Sequence, residues 1–123
     1  MDHLPADDDL AQPLPEVPAE QFFGVDIRSA VVTAVEDFPQ ARRPAWKLQL
    51  DLGPLGERTS SAQITSYSKE ELLGSTVVCV VNFPPRRVAG FTSEVLVLGV
   101  YDPDGQVVLL RPDRPVPPGH RVG

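Results

Sequence analysis

The stretch Trp46-Lys-Leu-Gln-Leu-Asp-Leu52 alternates strictly between apolar and polar residues. Trp46, Leu48, Leu50 and Leu52 share one face, and Lys47, Gln49 and Asp51 share the other, the period of a strand with one buried side. Trp46 is in phase with the leucines and reads as core. Upstream, residues 25–38 are rich in β-branched side chains and long for one strand, which predicts a strongly bent strand that Pro39 ends. Downstream, Gly53-Pro-Leu-Gly56 is a turn, and residues 58–65 read as a third strand.

The pattern then changes. Ser68-Lys-Glu-Glu71 fits a capping box, with Ser68 at the N-cap and Glu71 at N3. It predicts a short helix over residues 69–73 that stops at Gly74. Residues 77–81 form a buried strand and residues 94–100 another. Asp102-Pro-Asp-Gly105 turns the chain back into a strand over 107–110. The end, RPDRPVPPGHRVG, is proline-rich and irregular. Three strands, one short helix and two or more further strands make an all-β chain of OB-fold type, a five-stranded Greek-key barrel with its helix between strands 3 and 4 and short terminal extensions.

Charge divides the chain. The whole carries net charge -6, which opposes phosphate binding. Residues 1–20, however, hold Asp2, Asp7, Asp8, Asp9, Glu16 and Glu20 and no Lys or Arg. With several prolines as well, they read as an acidic mobile tail ahead of a domain over 21–123. Residues 20–25 read as a helical turn that docks Phe22 or Phe23 on the barrel. The 11 Lys and Arg all lie after residue 20, against 11 remaining acids. The domain is therefore neutral, and a local basic patch is open to it.

Catalytic chemistry is not in view. A single cysteine, Cys79, and two histidines, His3 and His120, cannot assemble a Cys/His zinc site. No phosphate loop, dinucleotide fingerprint or nucleophile elbow occurs. Asp102 and Asp104 read as turn residues. The expectation is a binding protein with no catalytic residues, no metal and no cofactor. Cys79 sits within VVCVV and reads as a buried core thiol, which suits a reducing compartment. The N-terminus lacks a signal-peptide pattern, and no apolar run spans a bilayer. A cytoplasmic protein without membrane insertion is expected.

VDIR (25–28), FPQARRPAWKLQLDLG (38–53), RTSSAQIT (58–65) and ELLGSTVVCVVNFPPRRVAGFTSEVLVLG (71–99) occur in this order. Together they resemble the stand-alone tRNA-binding-domain proteins of the CsaA type, which are similar to the tRNA-binding appendices of methionyl-tRNA synthetases. The resemblance covers about residues 22–122. Ser29-Ala30 stands where the family commonly has Val-Gly, and the acidic tail lies outside the family core. The resemblance implies an OB-fold homodimer that binds tRNA. For the CsaA branch it also implies an export-linked chaperone that holds unfolded preproteins.

The candidate RNA-binding residues are Arg42, Arg43, Lys47, Asn82, Arg86, Arg87, Ser93 and Glu94. The arginines offer forked donors to phosphates, and with Lys47 they make a five-charge footprint. Asn82 and Glu94 offer hydrogen bonds to a splayed base, and Ser93 to a phosphate or sugar hydroxyl. Structural readings stand beside these: Asn82 as the cap of a strand end, Glu94 as a salt-bridge partner of Arg86, the arginine loop as solvated surface. Tyr67, Phe83 and Phe91 offer stacking faces for bases, or an apolar rim for a peptide. Two alternatives to the tRNA reading stay open: a peptide-holding chaperone, and a docking subunit for a synthetase or a ribosome-associated partner.

Overall fold

A computed structural model describes residues 10–123. Of the tail expected over 1–20, residues 1–9 lie outside the described residues. A five-residue helix α1 (Ala19–Phe23) precedes the strands, and no residue of it is buried. Phe22 and Phe23 stack edge-on at 5.2 Å but stay 45% and 70% exposed. The expected docking of these rings on the barrel is therefore corrected. Polar bonds hold the segment after the helix instead: Asn82 Nδ2 donates to the Gly24 carbonyl at 2.9 Å, and Asp26 N donates to Asn82 Oδ1 at 2.8 Å.

The elements that follow are β1 (Ile27–Asp37), β2 (Trp46–Asp51), a 3-10 turn (Gly53–Leu55), β3 (Glu57–Ala62), α2 (Lys69–Leu72), β4 (Thr76–Val80), β5 (Arg86–Val88), β6 (Phe91–Ser93), β7 (Leu96–Val97), β8 (Gly99–Tyr101) and β9 (Val107–Leu109). Five strands form one antiparallel sheet in the order β3-β2-β1-β4-β7. The long first strand is bent, as its length requires. It pairs with β4 through Ile27–Val31 and with β2 from Val31 onward, with a bulge between Val32 and Ala34. The sheet curls until β3 meets the chain entering β7. There Glu94 N and Val95 N both donate to the Thr59 carbonyl, at 2.8 and 3.2 Å, and Ser60 Oγ donates to the Val95 carbonyl at 2.8 Å. The result is a nearly closed OB-type barrel.

Alternation fills its interior. Leu48, Leu50 and Leu52 are at most 1% exposed, together with Val32, Ile64, Val77, Cys79 and Val97. The capping box forms as expected: Ser68 Oγ accepts from Glu71 N at 3.1 Å, and Glu71 Oε1 accepts from Ser68 N at 2.9 Å. It orients α2 so that Leu72 plugs the barrel. Burial pushes the Cys79 thiol up to about 12. Trp46 packs on the rim of this core, and its Nε1 donates to the Tyr67 carbonyl at 3.0 Å.

Two elements differ from expectation. The strand expected over 94–100 breaks at Leu98 into β7 and β8. At Gly99 a Cβ would stand 2.5 Å from Val107 Cγ1 and 2.7 Å from the Val108 carbonyl oxygen, so only glycine lets the β8–β9 hairpin cross there. The second difference is the hairpin β5–β6, within a segment expected as loop. Its turn residues Ala89 and Gly90 have φ of 46° and 84°, as a tight hairpin turn demands.

The irregular C-terminus is bound to β1. Ser29 N donates to the His120 carbonyl at 2.9 Å, and Gly119 N donates to the Ser29 carbonyl at 2.7 Å. The Ser29 hydroxyl donates to the Pro117 carbonyl at 2.8 Å and accepts from His120 N at 3.0 Å. Serine at this position thus contributes a clasp that valine cannot make. Beside it, Arg28 donates twice to the Asp26 carboxylate, at 3.0 Å each. Arg28 is the main reason that Asp26 titrates below its ordinary value.

Candidate nucleic-acid interface

The register that buries the leucines of β2 sends alternate residues of three strands outward. Glu36 of β1 lies opposite Lys47, and Lys47 lies opposite Ser61 of β3. Ala34, Gln49 and Thr59 form the next row on this outer face. Just past β3, Gln63 continues the outward series between buried Ala62 and Ile64.

Hairpin β5–β6 stands against the free edge of β3. Ser93 Oγ accepts from Ser61 N at 2.9 Å. Glu94 Oε1 accepts from both Thr59 N and Thr59 Oγ1, at 3.0 Å each. These side chains satisfy edge amides that a further strand would otherwise pair.

Between the hairpin, the outer face of β3 and the β1–β2 loop run two adjoining clefts that share Ser61, Gln63 and Val88. One, about 200 Å³, has apolar walls of Phe83, Pro84, Val88 and Leu96, with Arg86 at its side. The other, about 560 Å³, is open and lined by Arg42 and Arg43. Both of these arginines are exposed, and neither makes an ion pair or hydrogen bond among the described residues. The groove thus joins three arginines from two separate segments to a polar floor of Ser61 and Gln63, an apolar recess and the Glu94 carboxylate. Multiple cations converging on a cleft raise the local concentration of an anionic ligand.

The sequence-predicted residues separate on this frame. Arg42, Arg43, Arg86, Phe83, Ser93 and Glu94 line the groove. Arg87 does not. It lies opposite Thr92 in the hairpin, on the ribbon face away from Arg86, Val88 and Ser93, and its guanidinium donates to Thr92 Oγ1 at 2.5 Å. Lys47 lies beyond Phe91. Its ammonium is 5.6 Å from the Phe38 ring centre and 5.7 Å from that of Phe91, and 4.0 Å from Glu36 Oε2. Phe91 itself packs edge-on against Phe38 at 5.6 Å.

Tyr67 lies outside the groove. Its hydroxyl accepts from Leu109 N at 3.0 Å, and its ring packs on the core beneath Arg111. Asn82 spans Gly24 and Asp26, as the cap reading has it, with its amide committed to backbone. Glu94 is held by Thr59. Ser61 and Gln63 were missed, although the alternation in Ser-Ser-Ala-Gln-Ile places both outward. Among the described residues no group of three His, Cys, Asp or Glu comes together as a metal site. No helix among them is long and apolar enough to cross a membrane.

Residues 27–121 match the family model described as "Putative tRNA binding domain". The chain belongs to this tRNA-binding-domain family. Within it, the fold superimposes on chaperone CsaA from Bacillus anthracis str. Ames with a TM-score of 0.84 at 49% identity, covering 89% of this chain and 100% of that one. The CsaA chaperone protein from Picrophilus torridus gives the same TM-score, 0.84, at 44% identity, covering 88% of this chain and 100% of that one. Among curated relatives, the methionine–tRNA ligase of Bacillus subtilis (strain 168) is 36% identical over 109 residues, 89% of this chain and 16% of the ligase. The chain therefore spans about one sixth of the ligases it matches. This is a tRNA-binding domain of the CsaA type, related to the tRNA-binding domain of methionyl-tRNA synthetases.

Proposed function

We propose that the chain is a non-catalytic, cytoplasmic tRNA-binding protein that holds tRNA in the groove between β3, hairpin β5–β6 and the β1–β2 loop. The observation that carries this reading is the convergence of Arg42, Arg43 and Arg86 on one groove of the outer barrel face. Guanidinium forks take phosphates two donors at a time, and OB folds hold nucleic acid on this face. Ser93 and Glu94, whose side chains are bonded within the fold, set the groove's shape and contribute less to direct contact; Asn82 holds the segment before β1 and lies outside the groove. Filter binding of tRNA over a salt series tests the proposal. Wild type retains tRNA at low salt, and the triple Arg42→Ala, Arg43→Ala, Arg86→Ala variant does not. Equal retention by the two proteins ends the groove assignment.

A second reading rests on the apolar cleft of Phe83, Pro84, Val88 and Leu96. It suits a hydrophobic side chain of an extended peptide, as a holder of unfolded preproteins requires, and the two CsaA structures bear the chaperone name. Protection of an aggregating client, insensitive to salt, supports it. A homodimer is part of both readings. The exposed apolar side chains Phe22, Phe23, Val100 and Val108 are 45–70% accessible and need cover. Light scattering at the 13.4 kDa mass of one chain counts against the dimer. Docking on a synthetase or a ribosome-associated partner has no feature of the groove to favour it.

A further inference from the structure

Gln63 sits where the two clefts join, and it lines both. Three neighbours on this face are already bonded: Thr59 Oγ1 to the Thr92 carbonyl at 2.8 Å, Ser93 Oγ to Ser61 N at 2.9 Å, and Glu94 to Thr59. The half-buried Gln63 amide makes no hydrogen bond among the described residues. It presents an unused acceptor and an unused donor side by side. On one side lie Arg42 and Arg43; on the other lies the recess of about 200 Å³ walled by Phe83, Pro84, Val88 and Leu96.

A nucleotide bridges such a pair of environments. Its phosphate carries charge suited to the arginines, and its base is a flat ring suited to apolar walls. With the base in the recess, its edge meets the Gln63 amide. The amide's acceptor–donor pair matches the amino group and ring nitrogen on the edge of adenine; unpaired cytosine offers the same pair on a single ring, which fills the recess less. Partial exclusion of water by the walls strengthens that pair of bonds. We propose that Gln63 reads an unpaired adenine of the bound RNA, while the arginines hold the backbone. The proposal rests on the tRNA reading of the groove.

The test uses the full chain and short fluorescent RNA hairpins that differ in one unpaired loop base, A, G, C or U. Anisotropy is measured over a salt series. Wild type prefers the A hairpin over the G and U hairpins by about tenfold, with C between. Gln63→Ala erases that preference and leaves the salt slope unchanged. Gln63→Glu, a close isostere, moves the preference toward G, whose N1–H and amino group both donate to a carboxylate. Arg42→Ala with Arg43→Ala lowers the salt slope and keeps the base preference. Equal wild-type affinity for all the hairpins, or an equal loss on all of them in Gln63→Ala, overturns the proposal and leaves the tRNA reading standing. Failure of wild type to retain either tRNA or hairpins at low salt overturns both.

Discussion

Arg86 and Arg87 are adjacent in sequence and face opposite ways. Arg86 lies opposite Ser93, and Arg87 lies opposite Thr92, on the two faces of one ribbon. Arg86→Ala therefore lowers tRNA affinity by about 1.5–3 kcal/mol, the range for a charge-assisted bond. It also reduces the log–log salt slope by about 0.7 for each phosphate that the arginine neutralises. Arg87→Ala changes affinity by less than about 0.5 kcal/mol. Side-by-side titrations check this, and equal losses in the two variants would show that the ribbon face does not set the contact.

Glu94→Ala is expected to weaken the barrel itself. It leaves Thr59 N, now bonded to Glu94 Oε1 at 3.0 Å, without its side-chain acceptor at the closing seam. The cost is about 1–3 kcal/mol. Urea unfolding followed by Trp46 fluorescence should show a lower midpoint with an unchanged slope. Glu94→Gln, which keeps the carbonyl oxygen, recovers most of the loss.

Asp26 links stability to pH. Its pKa in the fold is lowered, first by the Arg28 hydrogen bond. A depressed carboxylate stabilises the fold fully above its unfolded value, near the ordinary 3.8, and that contribution is lost as pH falls through the lower folded value. Asp26→Asn removes this share of the acid transition. Its unfolding midpoint drops at pH 7, and its stability depends less on pH in the acid range than that of wild type. An unaltered acid limb would show that the Asp26–Arg28 pair does not carry it.

The acid-rich segment before residue 21 opposes phosphate. Replacing Asp2, Asp7, Asp8 and Asp9 by Asn raises tRNA affinity at low salt, and the gain fades as salt shortens the screening length. A gain that persists undiminished at high salt would rule out long-range repulsion as its cause.

The barrel was legible because its signals are local. Strict alternation marked β2, the run of β-branched residues marked a bent β1, and Ser68 with Glu71 marked the cap of α2. The hairpin β5–β6 was not legible, because its turn uses Ala89 and Gly90. Alanine at positive φ lacks the usual Asn-Gly or Asp-Gly signature. Missing the hairpin merged Arg86 and Arg87 into one patch. The basic loop and Arg86 were visible as charge, but their meeting across β3 depends on barrel closure between distant segments. Ser93 and Glu94 look like ligand contacts in sequence because polar residues near arginines do; their bonds to Thr59 and Ser61 are long-range pairings that no local pattern announces. Ser61 and Gln63 carried an outward alternation that was available and unused.

The seam between β3 and the chain entering β7 is fastened in part by side chains, those of Ser60, Ser93 and Glu94. Two of these same residues also wall the groove. Cargo and container therefore share a fastener. A ligand that presses Ser93 and Glu94 toward β3 tightens the hoop around the core, and one that draws them away loosens it. Melting temperature becomes a readout of which way a bound molecule pulls.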